Sequence, residues 1–224
     1  MLSTAPSVVL AVILFMFRVS AAAATLDAEV VDQQGRPLEH AVLTLQGPPG
    51  KLPITLTVDM DQRNQQFAPR VLAVHSGTQV AFPNSDNIRH QVYSFSTPKR
   101  FELRLYEGTP SLPVLFDQPG VVALGCNIHD SMLGYVYVTE DPWFAVSGSD
   151  GSIKFDQLPV GHYRVTLWHP GSAEMQPLAG GEIEVSVTGL RQRFTVPVEG
   201  NGMGMDMTPA PSTFGDAFKK ATGK

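Results

Sequence analysis

Val121-Val122-Ala123-Leu124-Gly125-Cys126-Asn127-Ile128-His129-Asp130-Ser131-Met132-Leu133-Gly134-Tyr135-Val136-Tyr137-Val138 is the stretch on which the fold turns. The apolar, β-branched runs at 121–124 and 134–138 each read as a strand. Between them a thiol, an imidazole and a thioether follow one another as Cys-x-x-His-x-x-Met, which places three soft or borderline donors in one short inter-strand loop. Upstream, Pro83-Asn84-Ser85-Asp86-Asn87-Ile88-Arg89-His90 brings a second histidine to the end of a turn, where a strand at 91–95 begins. Two imidazoles, one thiolate and a long thioether contact form the ligand set of a blue-copper electron-transfer site. The chemistry explains the residue types. The thiolate donates charge strongly, imidazole suits Cu(I) and Cu(II), and a distant thioether disfavours neither state while tuning the potential. Zinc also accepts cysteine and histidine, but the methionine argues against it.

Further strands are expected at 71–74, 79–82 and 101–105, separated by turns at Ser76-Gly77, Pro83-Asn84, Thr97-Pro98 and Gln118-Pro119-Gly120. Apolar runs at 28–32 and 41–45 around Gly35-Arg36-Pro37 predict a β-hairpin. A last group of strands, at 144–146, 153–155, 163–167, 183–187 and 192–196, follows Pro142. With 20 glycines, 18 prolines and no helical periodicity, the 224-residue chain reads as all-β sandwich. Hydrophobic residues make up 43% and charged ones 17%, which excludes wholesale disorder. The net charge of −5 without a basic cluster excludes nucleic-acid binding. Neither a Cys/His dyad outside the metal loop nor a strand–turn–helix phosphate loop is present, so an enzyme is not expected.

Two terminal segments read differently. The apolar run 8–17 is too short to span a bilayer and is followed by small residues ending in Ala21-Ala22-Ala23-Ala24, the shape of a signal peptide cleaved after Ala24. A periplasmic location, without a membrane span after cleavage, is therefore expected. Residues 199–224, with Met203, Met205 and Met207 among glycines, read as a flexible tail. His40, His75, His162 and His169 have no partner at ligand spacing and read as structural. Trp143 and Trp168 are expected in the core of the flanking strands. Asp86 and Asp130 would put negative charge near the ligand loops.

Residues 67–139 resemble a cupredoxin of the amicyanin and plastocyanin group. The resemblance is carried by Phe67-Ala68-Pro69-Arg70-Val71-Leu72-Ala73-Val74-His75-Ser76-Gly77-Thr78-Gln79-Val80-Ala81-Phe82-Pro83-Asn84, His90-Gln91-Val92, Gln118-Pro119-Gly120 and the Cys126 loop. It implies one type 1 copper with His90, Cys126 and His129 as equatorial ligands and Met132 as the axial one. Asn84 and Gln91 are the neighbours whose hydrogen bonds would hold the ligands, and Asn127, Ile128 and Leu133 would form the contact patch for a redox protein such as a cytochrome c or a dehydrogenase. The sequence departs from the family pattern at Gln91, where Asn is usual, at Ile128, where Pro is common, and at Leu124-Gly125, where an aromatic residue is common at the first position.

The flanks are similar to a carboxypeptidase-regulatory-like (transthyretin-like) sandwich, through Val30-Val31-Asp32-Gln33-Gln34-Gly35-Arg36-Pro37-Leu38 and Ser149-Asp150-Gly151 to Leu158-Pro159-Val160-Gly161-His162-Tyr163. The expected architecture is two β-sandwiches, with a cupredoxin-like Greek-key sandwich (51–140) inserted in a discontinuous transthyretin-like one (25–50 and 141–198). The whole arrangement resembles exported plastocyanin-like proteins called methylamine-utilisation proteins. A single-electron carrier is the function implied. A copper-delivery protein, or a scaffold with a vestigial metal site, are the alternatives.

Overall fold

The computed structural model describes residues 23–50, 57–110, 112–172 and 175–199. Of the terminal segments, 1–22 and 200–224 lie outside the described residues. Among the described residues there are seventeen strands and no α-helix, and no helix is long and apolar enough to cross a membrane.

Four sheets pair into two sandwiches. In the first, β14 (Ser152–Pro159), β1 (Ala23–Val31) and β17 (Leu190–Thr195) form one sheet, with β1 antiparallel to β14 and parallel to β17. The facing sheet runs β13 (Trp143–Val146), β2 (Val42–Gln46), β15 (Gly161–Trp168), β16 (Leu178–Val185). Leu26, Val30, Leu43, Leu45, Phe155, Tyr163, Val165 and Leu167 fill the space between them. In the second sandwich, β10 (Val114–Phe116), β7 (Thr78–Ala81) and β3 (Thr57–Asp59) face a five-stranded sheet. That sheet runs β6 (Val71–His75), β12 (His129–Thr139), β11 (Gly120–Cys126), β8 (His90–Ser94), β9 (Phe101–Tyr106). Its core holds Val80, Phe82, Val92, Phe116, Val122, Leu124, Val136 and Val138. A short hairpin, β4 (Asp61–Arg63) with β5 (Gln66–Ala68), stands beside it.

The expected hairpin between 28–32 and 41–45 does not form, because β1 and β2 lie in opposite sheets. The reason is local. The Asp32 carboxylate accepts the N–H groups of Gln34 (2.8 Å) and Arg36 (2.9 Å) and the Arg36 guanidinium (2.6 Å), closing a tight turn. His40 then takes a left-handed conformation, φ 68°, that sends the chain across the core. An apolar alternation shows that a strand has one buried face, but not which strand it pairs with.

Period-two alternation also joins the sandwiches. On β12, Val136 and Val138 point into the second core, while Tyr135 and Tyr137 point out of it. On β15, Val165 and Leu167 point into the first core, and Trp168 points out. These outward residues meet as a third cluster of Val42, Val71, Tyr135, Tyr137 and Trp168. Trp168 therefore packs between the sandwiches, not inside the flanking one as the sequence suggested. Trp143 packs at the edge of the first core.

His169 follows Trp168 and is structural. It accepts a hydrogen bond from Gly171 N–H at Nδ1 (3.0 Å), so its Nε2–H donates to the Glu39 carbonyl (3.0 Å). Burial pushes its pKa down to about 4, and the charges of His40 and Arg70 add to that against the Glu39 carbonyl. The folded state thus holds the neutral ring, while the unfolded chain takes up a proton near pH 6.5. This stabilisation is complete above pH 6.5 and is lost as pH falls toward 4. The melting temperature of wild type should drop across that window more steeply than that of His169→Gln. Parallel curves in a thermal melt series would show that His169 does not contribute.

Candidate metal centre

β11 ends at Cys126 and β12 begins at His129, so the expected loop is a two-residue turn, Asn127–Ile128, between directly paired strand ends. One step up the ladder Gly125 pairs with Leu133, so residues 130–132 are extra on β12. Such a bulge re-aims the side chains it carries. Met132 accordingly lies in the apolar core that also holds Cys126, 1% exposed. His90 opens β8, the neighbour of β11, and its alternation with Gln91 turns the imidazole inward.

These strands bring three of the expected residues together. The Nδ1 atoms of His90 and His129 lie 3.8 and 3.7 Å from Cys126 Sγ. The two rings are 4.9 Å apart, and the potential ligand atoms of all three residues lie within 4.8 Å of one another. His90 and Cys126 are buried, and His129 is half-buried. An ion about 2.3 Å from sulfur and about 2.0 Å from nitrogen would see each sulfur–nitrogen pair at roughly 119–124°. That is wider than a tetrahedral angle and suits a trigonal His₂Cys plane. The donor set therefore fits a copper ion.

The supporting hydrogen bonds were only partly foreseen. Asn84 is buried and ties the ligand turn to β9, donating Nδ2–H to the carbonyls of Ile88 (2.8 Å) and Tyr106 (3.1 Å) and accepting Asp86 N–H (3.1 Å). Gln91 lies on the opposite face of β8 and gives its amide to Glu102 (2.8 Å) instead of to a ligand, since adjacent residues of a strand point apart. Asp86, expected from sequence to put negative charge near the ligand loops, is turned inward. Its Oδ2 lies 2.7 Å from His90 Nε2, and its side chain is 14% exposed. Burial alone would raise its pKa. The Gln65 N–H, the His90 ring and the Asn64 N–H outweigh burial and hold the carboxyl below the usual carboxylate range. An acid four residues before His90 was the only trace of this in the sequence.

Behind the turn, Asp61 on β4 accepts Ser85 through N–H (3.2 Å) and Oγ–H (2.8 Å), and Arg63 through Nε–H (2.5 Å). The Tyr106 hydroxyl donates to the Phe82 carbonyl (2.7 Å) and accepts the Gln62 amide, and burial pushes its pKa up to about 12. At the mouth, Asn127 is exposed, Ile128 is 49% exposed, and Leu133 is half-buried.

No protein-family model and no curated protein matches the chain. Among solved structures it is similar to a purple cupredoxin from Nitrosopumilus maritimus, with 22% identity over 37% of this chain and 98% of that one, at a TM-score of 0.32. It is similar to an amicyanin point mutant in its reduced state at 18% identity, over 43% of this chain and 99% of that one, with a TM-score of 0.34. Similarity to a Cu-containing nitrite reductase from Thermus scotoductus SA-01 is 24% over 50% of this chain and 28% of that one, with a TM-score of 0.35.

Proposed function

We propose that this chain is a type 1 copper protein that carries single electrons between redox partners, and that His90, Cys126, His129 and Met132 would hold the ion. The observation that supports it is the convergence of two imidazole Nδ1 atoms on one thiol, at 3.7 and 3.8 Å, from the ends of three adjacent strands. When bound, copper supplies the one-electron chemistry between Cu(I) and Cu(II).

The chain supplies everything else. A hairpin with a two-residue turn leaves Cys126 and His129 little freedom to move apart between oxidation states. The apolar core around Met132 and Cys126 keeps water from the buried side. His129 is half-buried beside exposed Asn127 and Ile128, so with copper bound its ring edge would be the part of the site open to a partner. Contacts of this kind are small and transient. The first sandwich serves as a transthyretin-like scaffold holding the inserted copper unit (51–140), and the protein acts in the periplasm after loss of its signal sequence, as a carrier and not an enzyme.

A visible and electron-paramagnetic-resonance spectrum of the Cu(II)-loaded protein tests this. An intense thiolate-to-copper band, narrow copper hyperfine splitting and a reversible one-electron wave are expected. A weakly coloured protein with ordinary tetragonal copper overturns the carrier and leaves copper delivery or scaffolding.

A further inference from the structure

We propose that Asp86 is the positioning residue of ligand His90, and that the turn of the β4–β5 hairpin is what holds Asp86 in place. The proposal rests on the copper reading for its effect on the ion, and on the protein alone for its geometry.

His90 is fully buried and has a task for each ring nitrogen. Nδ1 faces the thiol at 3.8 Å, and Nε2 faces Asp86 Oδ2 at 2.7 Å. A nitrogen that close to a carboxylate oxygen donates its proton, so the neutral ring is the Nε2–H tautomer and Nδ1 keeps its lone pair for the ion. Without the carboxylate, the Nε2–H would be a buried donor without its acceptor, and the ring would be free to carry its proton on the ligating atom.

Asp86 is fixed in turn from a different part of the chain. Asn64 N–H donates to Oδ1 (2.7 Å) and Gln65 N–H to Oδ2 (2.9 Å). Asn64 and Gln65 are the two central residues of the β4–β5 turn, both left-handed at φ 53° and 58°. Successive left-handed residues are the mark of a two-residue hairpin turn, and here they aim two adjacent N–H groups at one carboxylate. The strand leading into the turn is laced to the ligand loop: Gln62 N–H donates to the Pro83 carbonyl (3.0 Å), Ser85 N–H to the Gln62 carbonyl (3.0 Å), and Asp61 takes Ser85. The hairpin, Asp86 and His90 thus form one hydrogen-bonded chain ending at the metal position. A negative charge on the outer nitrogen of a ligand makes the ring a stronger donor and favours the more highly charged ion. Asp86 is therefore expected to bias the site toward Cu(II).

The test has two independent arms. In metal-free protein, ¹⁵N NMR of the His90 ring should show the Nε2–H tautomer in wild type and a mixture in Asp86→Ala. A wild-type ring protonated on Nδ1 overturns the proposal, whatever the copper spectrum shows. In copper protein, Asp86→Asn should weaken Cu(II) binding about 10–100-fold and Cu(I) binding less, so the potential rises, by about 59 mV for each tenfold difference. Asp86→Glu should recover part of the loss. If wild type shows the thiolate band and Asp86→Asn leaves potential and Cu(II) affinity within twofold, the positioning role is wrong and the carrier stands. If wild type lacks the band but the tautomer responds to Asp86, the carrier is wrong and the positioning role stands.

Discussion

Cys126→Ala is expected to abolish the thiolate-to-copper absorption completely while leaving the protein folded. Cys126 is the single cysteine of the chain, so no other thiolate can take its place. The two imidazoles stay 4.9 Å apart on strands that do not depend on the sulfur, and can still take up Cu(II) with water as the other ligand. That produces a pale, tetragonal centre. The loss of Cu(I) affinity should exceed the 10–100-fold that follows removal of an outer-shell partner, because the softest donor itself is gone. The fold should hardly notice. A buried free thiol packs as a small apolar group, and deleting one heavy atom from a core costs about 1 kcal/mol. Three measurements separate a ligand from a packing residue: the visible spectrum, competition with a Cu(I) chelator, and the melting temperature of the metal-free protein. A retained band would remove Cys126 from the site. A metal-free variant that no longer melts cooperatively would make Cys126 a structural residue first.

Much of this site was legible from sequence because its signal is compositional and local. A thiol, an imidazole and a thioether within seven residues, flanked by β-branched runs, leave few other readings. His90 was legible because Pro83-Asn84 marks the turn before it. What could not be read was whatever depends on pairing across the chain. β4 and β5 are three residues each, and β4 buries Asp61 and Gln62, polar side chains that hide a strand from any hydrophobic pattern. Asp86 showed itself only as a negative charge near the ligand loops, because its partners Asn64 and Gln65 lie more than twenty positions upstream, in a turn the sequence did not reveal. The apparent hairpin at 28–45 failed for the complementary reason. Alternation shows that β1 and β2 each bury a face, and only the Asp32 turn and the left-handed His40 decide that they bury it from opposite sides. Trp168 was misplaced because its apolar neighbours on β15 point the other way, and only the structure shows that Tyr135 and Tyr137 wait on that side.

Trp168→Ala is expected to remove about 3–5 kcal/mol of stability, the largest loss from any single truncation in the interface between the sandwiches. Its indole is fully buried at the end of β15. The ring lies 5.5 Å from Tyr135 at 62° and 5.7 Å from Tyr137 at 42°, and Nε1–H donates to the Met175 carbonyl (3.1 Å). Truncation opens a cavity, breaks two ring contacts and orphans one carbonyl. The surroundings have little means to collapse, because Tyr135 and Tyr137 sit in the paired interior of β12, between β6 and β11. With the interface weakened, the single cooperative transition expected of wild type should split into two in a calorimetric scan. The candidate metal site should be affected much less, since Tyr135 and Tyr137 occupy the outer face of the sheet whose inner face carries the proposed ligands. The tyrosines provide a second readout. Burial, with Asp141 assisting, pushes the Tyr137 hydroxyl up to about 12, so opening the interface should bring its ultraviolet titration back toward the ordinary 10. Trp168→Phe, which keeps a ring but loses the hydrogen bond, should fall between. A loss below about 1 kcal/mol in Trp168→Ala, with an unmoved tyrosine titration, would mean that the sandwiches do not depend on this contact. An unchanged copper spectrum alongside a large loss would show that the first sandwich holds the second in place without shaping its ligands, the division of labour that the two faces of β12 imply.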